Sequence, residues 1–383
     1  MTTASAIGVQ REVHLVTRAK ASFGYGRDGQ IREIRDALPA QYWKHPANAW
    51  SPLIRSRIPE LGGAWIKYEG GHVTGFFKDR IMAVTLGELM ARTPDCPGVV
   101  VPSSGNAAVS AAAFCAQRGL PMVAIVPEAT PQERIRPVLA RGGVVLRAGE
   151  GPSASYSIAD KLAETLGFFK LYSTFASPWA EWGCRSLGRE ICGQLANRPG
   201  MVVAPVSAGP VLVGAGNGIL EGGGQLPILV AVQSAGCAPI AEAYANNSDK
   251  VTPWTVAVDT KAVAIADRLV GYPQDGTRVL SMVRRSAGEV AAVTDAEMAE
   301  ARAALFTYDG IDAELSACAA VAWVLRRGGA IPADTVCLVT ASGFKHTFAG
   351  DVPGPHLAEQ AVSTLAKIES FLKQKGIDAS VMF

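Results

Sequence analysis

The sequence predicts an α/β fold with two open, twisted, mainly parallel sheets that are flanked by helices. From residue 98 onward, short β-branched runs alternate with helical patterns, and the same alternation resumes after residue 200. Strands that alternate with helices indicate βαβ units, which place the strands parallel and the helices on both faces. No internal repeat or low-complexity linker interrupts the pattern, so two α/β sheets with a cleft between them account for the chain.

The first half of this pattern contains four predicted strands and three predicted helices. The runs "GVVVPSS", "PMVAIVP", "VVLRAG" and "FFKLYST" are predicted strands, because they are short, apolar and rich in β-branched or aromatic residues. The intervening segments "GNAAVSAAAFCAQRG", "TPQERIRPVLARGG" and 153–166 have helical periodicity. Residues 1–45 have the least readable pattern.

The second half repeats the pattern with three predicted strands and three predicted helices. "PGMVVAPVSAGP", "LPILVAVQS" and "DTVCLVTASG" are apolar runs, two of which end in small residues. "VLVGAGNGILEGGG" is predicted to be a short glycine-rich helix, and "DAEMAEARAALFTYDG" and "ELSACAAVAWVLRRGG" are helical by periodicity and end in glycine.

Composition indicates a small-molecule partner. The 383 residues carry 36 basic and 34 acidic side chains without long like-charge blocks, which disfavours nucleic acid and membrane surfaces as partners. The N-terminus lacks an apolar segment of signal-peptide length, and no run reaches the roughly 18 apolar residues of a membrane helix. We therefore expect a soluble, cytoplasmic protein.

The cysteines and histidines predict neither a metal site nor a disulfide framework. The seven cysteines are odd in number, form no CxxC pair and lie mostly in apolar contexts, which favours buried free thiols. The five histidines show no metal-ligand spacing. The cysteines are Cys96, Cys115, Cys184, Cys192, Cys237, Cys318 and Cys337.

The stretch "TGFFKDR" presents Lys78 as a candidate covalent amine. Only a neutral amine is nucleophilic, and burial among apolar neighbours lowers the pKa of a lysine. Phe76 and Phe77 precede Lys78, and an apolar run follows at residues 81–83. For an isolated Lys-Asp-Arg triplet a solvated charged helix face is the better explanation, so the rest of the chain must decide.

Two further motifs follow predicted strands. In "VVVPSSGNAAVSAAA", small residues at a strand-to-helix junction leave free N–H groups that favour an anion such as a carboxylate. In "CLVTASGFK", Thr340 and Ser342 lie at the carboxyl edge of a strand, where ligands of parallel sheets bind. Taken singly, the first motif is also a plain helix N-cap and the second a strand-end cap.

The segment "PVSAGPVLVGAGNG" is a strand that runs into glycines at a helix start, as in a phosphate cradle. Its glycines Gly214, Gly216 and Gly218 do not follow the GxGxxG spacing, and no acidic residue follows at the distance that a ribose needs. A nicotinamide dinucleotide site is therefore disfavoured.

Taken in order, "TGFFKDR", "SSGN", the glycine turn at 207–218, "VQSAGCAPI" and "TASGFK" resemble the fold-type II pyridoxal 5′-phosphate (PLP) enzymes, the tryptophan synthase β-like superfamily. Within it, the resemblance is to threonine synthase-like proteins, over about residues 50–350. It implies PLP as cofactor, an active site in the interdomain cleft and a homodimer. It also implies a large PLP-binding domain of residues 1–85 and 170–383 and a small domain of residues 86–169.

The resemblance also assigns residues. Lys78 would carry PLP covalently and move the Cα proton, and Asn106 would hydrogen-bond the 3′-oxygen of the cofactor. Thr340 would contact the pyridine nitrogen, with Ser342 as second choice. The substrate carboxylate would be held by Ser103, Ser104 and Gly105, and the PLP phosphate by Ser207, Ala208, Gly209 and Val211.

The chain departs from the family pattern at the phosphate loop. Relatives have more glycine there and often a threonine or asparagine near its end. Pro210 removes one N–H donor and Val211 has no polar side chain, which predicts a cradle with fewer donors and weaker binding of PLP.

A second departure concerns the substrate pocket. The positions that bind the phosphate of O-phosphohomoserine in threonine synthases correspond here to Ala107, Phe175, Ser177 and Ala180, the last three in "FASPWA". Each charged hydrogen bond that is lost lowers the free energy of phosphate binding by roughly 1.5–3 kcal/mol. We therefore expect β- or γ-elimination or replacement on another L-amino acid, in a biosynthetic enzyme, with Ala107, Phe175 and Ala180 facing the substrate.

Two alternatives stay open. The first is a genuine threonine synthase that binds the phosphate through other residues, for which Arg80 and Lys345 are candidates. The second is a non-catalytic protein of the same fold that binds PLP poorly because of Pro210.

Overall fold

The computed structural model describes residues 50–148, 152–195, 198–222, 225–328, 330–332, 334–346, 370 and 373, so the N-terminal segment 1–45 lies outside the described residues. Its larger sheet has six strands in the order β1-β2-β10-β7-β8-β9. All neighbours pair in parallel except β1 and β2. The strands are β1 (Leu53–Arg55), β2 (Trp65–Tyr68), β7 (Met201–Pro205), β8 (Ile228–Ser234), β9 (Glu289–Val293) and β10 (Thr335–Val339).

The smaller sheet is fully parallel, in the order β5-β4-β3-β6. Its strands are β3 (Val99–Pro102), β4 (Met122–Val126), β5 (Val144–Arg147) and β6 (Phe169–Lys170). The two mainly parallel sheets confirm the predicted fold class. The predicted domain boundaries at 85/86 and 169/170 stay a prediction, although all four strands of the smaller sheet lie within 99–170.

Helices cover the sheets, and the central strands are buried along their whole length, as expected of parallel strands covered on both faces. Among the described residues, each predicted helix is present. The helices are α1 (Lys78–Arg92), α2 (Asn106–Ala116), α3 (Gln132–Leu139), α4 (Pro152–Leu166), α5 (Pro178–Leu195), α6 (Pro210–Glu221), α7 (Pro239–Ala245), α8 (Pro273–Arg285), α9 (Asp295–Ala304) and α10 (Ala319–Arg326).

Helices α1, α5 and α6 pack against one another through glycines. A Cβ atom on Gly183 of α5 would lie 2.5 Å from the carbonyl oxygen of Arg80 in α1, and one on Gly188 would collide with the backbone of α6. From the other side, a Cβ on Gly214 would lie 2.5 Å from the Cβ of Cys184, and one on Gly218 would collide with the backbone of α5. Backbone therefore meets backbone across this glycine seam, and it links the helix of Lys78 to the helix that follows β7.

The sequence predicts that the glycines of "PVSAGPVLVGAGNG" lie at a helix start in a phosphate cradle, and the structure corrects this for three of them. Gly214, Gly216 and Gly218 lie inside α6 and face neighbouring helices and strands. Their role is close packing. Within the segment, only Gly209 stands at the helix start.

Arg80, in the first turn of α1, belongs to a buried ion network. Its guanidinium donates to Glu69 at 2.6 Å and to Glu190 at 2.5 Å, and Lys67 donates to Glu190 at 2.8 Å. Although burial alone would raise it, the positive charge of Arg80 holds the pKa of Glu69 well below its usual range. Because Arg80 is fully buried and satisfied, it is unavailable to a substrate phosphate.

All seven cysteines are free thiols, and six of them are buried, as predicted; Cys192 is partly exposed. Among the residues that the structure describes, no helix has both the length and the apolar character needed to cross a membrane.

Candidate active site

A cavity of about 1100 Å³ opens at the carboxyl ends of strands from both sheets. It is lined by the segments that follow β3, β6, β7 and β10 and by the first residue of α1. This edge is where parallel sheets bind ligands. The predicted site residues that line it are Lys78, Ser103, Ser104, Gly105, Asn106, Ala107, Ser207, Ala208, Gly209, Val211 and Thr340.

Lys78 is the first residue of α1 and points into this cavity. Its Nζ donates to the Ser173 hydroxyl at 3.1 Å and lies 4.7 Å from the centre of the Phe77 ring. Burial lowers the pKa of Lys78 to about 8, and the negative charge of Asp267 is among the groups that partly oppose this. A larger neutral fraction makes the amine a better nucleophile and base than an ordinary lysine.

The loop before α1 holds Lys78 in place. The carboxylate of Asp79 accepts from the Thr74 N–H at 2.7 Å and from the Ser110 hydroxyl at 2.5 Å, so it ties the helix start to α2. The Phe77 N–H donates to the carbonyl oxygen of Thr340 at 3.0 Å. The lysine is therefore bound by backbone to the end of β10.

The two hydroxyls after β10 have different surroundings. Thr340 lines the cavity. Ser342 is not among the described residues of the lining, and its hydroxyl accepts from the Phe344 N–H at 3.2 Å while its own N–H donates to Gly75. Thr340 therefore lies at the cavity, and the contact of either hydroxyl with the pyridine nitrogen stays a prediction.

Asn106 begins α2 directly after the small residues that follow β3. Its side-chain amide donates to Glu314 at 3.0 Å, a partner from the large-sheet side that sequence reasoning missed. Gly105 caps the helix without a side-chain hydrogen bond, so this N-terminus is open to an anion. The guanidinium of Arg134 lies 3.9 Å from the point where a Cβ of Gly105 would be, which adds a positive charge beside the loop.

A second helix N-terminus faces the cavity after β7. Gly209 has a φ of 99°, and a Cβ there would collide with Val279, so only glycine fits. Helix α6 starts at Pro210 and has no side-chain cap. The residues Ser207, Ala208 and Gly209, with Val211, thus form a second cradle for an anion.

Several cavity residues were absent from the sequence prediction. Asp267 accepts from the Ser207 hydroxyl at 3.2 Å and from the Tyr272 hydroxyl at 3.0 Å. Tyr156 stacks on Tyr172 with ring centres 5.6 Å apart and tilts against Tyr272 at 5.9 Å. Asp267 and Tyr272 come from an irregular segment without strand or helix periodicity, so no sequence signal pointed to them.

Two residues predicted to contact the substrate are not brought to the cavity. Among the described lining residues, neither Phe175 nor Ala180 is present. Phe175 packs its ring 4.6 Å from the guanidinium of Arg278, and Ala180 is fully buried in α5. The wall at this point is formed by Ser173 and Thr174 instead.

Comparison with known proteins identifies the family. The profile of the family described as "Pyridoxal-phosphate dependent enzyme" matches residues 45–343. The chain belongs to this family. PLP is its cofactor, and the resemblance drawn from the motifs is confirmed.

Curated relatives agree with this membership. The enzyme is 27% identical to the threonine synthase of Synechocystis sp. and 29% identical to that of Methanocaldococcus jannaschii, each over 77% of this chain and 75% of the relative. It is also 30% identical to a serine dehydratase-like protein of Mus musculus, over 53% of this chain and 62% of that protein.

Solved structures support the fold. The threonine deaminase of T.th. superposes with a TM-score of 0.67 at 21% identity, over 79% of this chain and 96% of that one. An O-ureido-L-serine synthase superposes with a TM-score of 0.66 at 21% identity, over 83% and 98%. At this identity the likeness shows the fold alone.

The cavity of this PLP-dependent enzyme fits its cofactor. Lys78 offers an amine of lowered pKa for covalent attachment, and the uncapped start of α6 offers N–H groups to a phosphate. One acidic side chain, Asp267, stands beside that cradle. Among the described residues, no three His, Cys, Asp or Glu side chains are placed to hold a metal ion.

Proposed function

We propose that this enzyme catalyses β- or γ-elimination or replacement on an L-amino acid, in biosynthesis. One observation carries the proposal. The cavity contains an amine whose pKa is lowered to about 8, between two uncapped helix N-termini that can each hold an anion. One N-terminus suits the cofactor phosphate and the other suits the carboxylate of an amino acid.

PLP, when bound, withdraws electrons from the Cα atom of the substrate and so acidifies its proton. The residues of this chain supply the rest. Lys78 is the base that takes the Cα proton and the acid that returns it, because its amine is partly neutral near pH 8. Thr340 would present a hydroxyl to the ring nitrogen of the bound cofactor, and Asn106 would present its amide to the 3′-oxygen. A neutral hydroxyl leaves the nitrogen largely unprotonated, which suits departure of a group beyond Cα.

We place the substrate carboxylate at the start of α2. Ser103, Ser104 and Gly105 lie there, and the guanidinium of Arg134 lies against Gly105. A guanidinium and a helix N-terminus both favour a carboxylate, and together they would orient the substrate with its Cα toward Lys78.

The substrate side chain is proposed to carry no phosphate. Ala107 lines the cavity and offers no hydrogen bond where the threonine synthase pattern has a threonine. Among the described lining residues, neither Phe175 nor Ala180 is present, so neither bears on binding of a phosphate. Ala107 is therefore the residue that disfavours O-phosphohomoserine.

A genuine threonine synthase is the second candidate, and one observation favours it. Arg134 and Arg141 both line the cavity, and neither forms an ion pair within the described part of the chain. Burial lowers the pKa of Arg141, with Asp79 opposing this, so its positive charge is poorly solvated. A phosphate bound by these two arginines would replace the residues that the family pattern lacks here. The side chain of Lys345, the other candidate, lies outside the described residues.

A spectroscopic panel separates the candidates. The enzyme is saturated with PLP and mixed with serine, threonine, O-acetylated and O-phosphorylated amino acids, and both the visible spectrum and phosphate release are recorded. Spectral change with unphosphorylated amino acids but no phosphate release from O-phospho-L-homoserine supports the proposal. Phosphate release with formation of threonine supports the second candidate. The Lys78→Ala variant serves as the matched control.

The same experiment tests whether the protein is an enzyme of this type at all. Wild type should show a visible absorbance band that is removed by borohydride and is missing in Lys78→Ala. Absence of the band at saturating PLP would leave a non-catalytic protein of the same fold. We further propose a cytoplasmic homodimer with a small domain of residues 86–169, which sedimentation and limited proteolysis would check.

A further inference from the structure

A carboxylate is fixed beside the cradle that serves the cofactor phosphate. Asp267 accepts hydrogen bonds from the Ser207 hydroxyl at 3.2 Å, from the Leu269 N–H at 2.9 Å and from the Tyr272 hydroxyl at 3.0 Å. The last two donors belong to its own segment, so they hold the carboxylate in place whether or not Ser207 participates. The position of Asp267 therefore does not depend on the cradle.

Apart from the backbone N–H groups at the start of α6, the cradle offers an anion few donors. Ala208, Gly209 and Val211 have no polar side chains, and Pro210 has no N–H. Ser207 is thus the one side-chain donor of the loop, and its hydroxyl is directed to Asp267. A hydroxyl has a single proton to donate, so Ser207 cannot donate to a phosphate while it donates to this carboxylate.

The negative charges of Asp267 and of a phosphate bound in the cradle would repel each other. A phosphate bound by the α6 N-terminus beside Ser207 would stand next to Asp267, which lines the same cavity and is partly buried, so solvent screens the two charges only in part. Among the described residues, the Lys78 amine interacts electrostatically with Asp267, and so do the titratable side chains of Tyr156, Tyr272 and Cys237. Burial raises the pKa of the nearby Asp275 to about 7, and the negative charge of Asp267 contributes to this rise.

We infer that Asp267 competes with the cofactor phosphate for Ser207 and sets an upper limit on the affinity of this enzyme for PLP. The inference rests on the cofactor site assigned under the proposed function and adds a residue that determines cofactor affinity. The phosphate group of PLP then contributes less binding free energy than the cradle would supply without Asp267. The difference in affinity between PLP and pyridoxal is therefore small.

The Asp267→Asn variant tests this. Asparagine keeps the acceptor for Leu269 and removes the charge, so PLP should bind about tenfold more tightly. Pyridoxal, which lacks the phosphate, should change by less than about twofold. Dissociation constants for both are measured by quenching of tryptophan fluorescence, and their ratio cancels any effect on Lys78. Asp275→Asn is the matched control, since it removes a nearby buried carboxylate that does not line the cavity, and it should leave the ratio unchanged.

A cycle with Ser207→Ala gives a second, independent readout. In wild type this change should weaken PLP binding by less than about twofold, because the hydroxyl serves Asp267. In the Asp267→Asn background the same change should weaken it by about fivefold or more, because the freed hydroxyl then serves the phosphate. The wild-type half of the cycle needs no change at Asp267 and remains informative if Asp267→Asn fails to fold.

Two results would overturn the inference. One is an Asp267→Asn variant whose PLP-to-pyridoxal ratio is unchanged or reduced. The other is a large loss of PLP affinity from Ser207→Ala in wild type. Either result leaves the proposed function intact if wild type still shows the Lys78-dependent visible band, so the two failures are distinguishable.

Discussion

The lowered pKa of Lys78 predicts how fast the enzyme captures its cofactor at each pH. With a pKa of about 8, about a quarter of the amine is neutral at pH 7.5, whereas an ordinary lysine is about 0.1% neutral. The buried amine should therefore react about 200-fold faster than a free one of equal nucleophilicity at that pH. At pH 10 both amines are largely neutral, and the advantage should shrink to about fourfold.

Stopped-flow absorbance measures this directly. The apoenzyme is mixed with PLP between pH 6.5 and 10, and each rate is divided by the rate of Nα-acetyl-lysine with PLP in the same buffer. The division removes the titration of PLP itself. A normalised rate that stays constant across this range would mean that Lys78 titrates like an ordinary lysine, and the reasoning from burial would be refuted. Lys78→Ala should show no phase of this kind.

The lowered pKa of Lys78 also makes the stability of the apoenzyme depend on pH in a predictable direction. The pKa of Lys78 is lower in the folded than in the unfolded protein, so the unfolded chain binds more protons between pH 8 and the ordinary lysine range. Protonated Lys78 therefore costs the apoenzyme stability below about pH 8, and this cost disappears as the pH rises toward the ordinary lysine pKa. Apoenzyme with Lys78→Met should melt at a higher temperature at neutral pH, with a difference that closes at high pH.

Three further changes have defined outcomes. Glu190→Gln leaves the buried Arg80 short of a counter-charge and should lower the free energy of unfolding by about 3 kcal/mol in urea titrations. Gly218→Ala forces a Cβ into the backbone of α5 and should cost about 3 kcal/mol, whereas Gly222→Ala, at the end of α6, brings a Cβ to 3.2 Å from the Ile219 carbonyl oxygen and should cost less than about 1 kcal/mol. Arg134→Ala should weaken amino-acid binding by about tenfold with PLP affinity unchanged, as read from spectral titrations; equal losses for both ligands would argue against a carboxylate role.

Much of the fold and part of the site could be predicted because their signals are local. Lys78, Asn106 and Thr340 each follow a run of strand or apolar residues, so their neighbours in sequence are also their neighbours in space. Parallel strands then bring such junctions to one edge without any long-range information. That is why three distant stretches of the chain could be assigned to one cavity.

The remainder depends on contacts that sequence periodicity does not encode. Asp267 and Tyr272 belong to an irregular segment, and they reach the cavity only because that segment folds over the carboxyl edge of the large sheet. Phe175 and Ala180 were assigned to the pocket from the short segment "FASPWA", in which a small change of backbone path moves a side chain from pocket to core. Gly214 and Gly218 resembled a phosphate motif because close helix packing requires glycine just as close approach to a phosphate does.

The glycine seam of α1, α5 and α6 bears on how this scaffold can be re-engineered. Main-chain contacts at Gly183 and Gly188 set the spacing between the helix of Lys78 and the helix that follows β7, while the cavity wall comes from other segments such as Ala107 and Thr174. A library that randomises the wall can therefore explore new substrates without disturbing the spacing between these helices. A library that touches the seam would mostly yield insoluble protein. Directed evolution of new amino-acid chemistry should accordingly keep the seam glycines unchanged and randomise the residues of the wall.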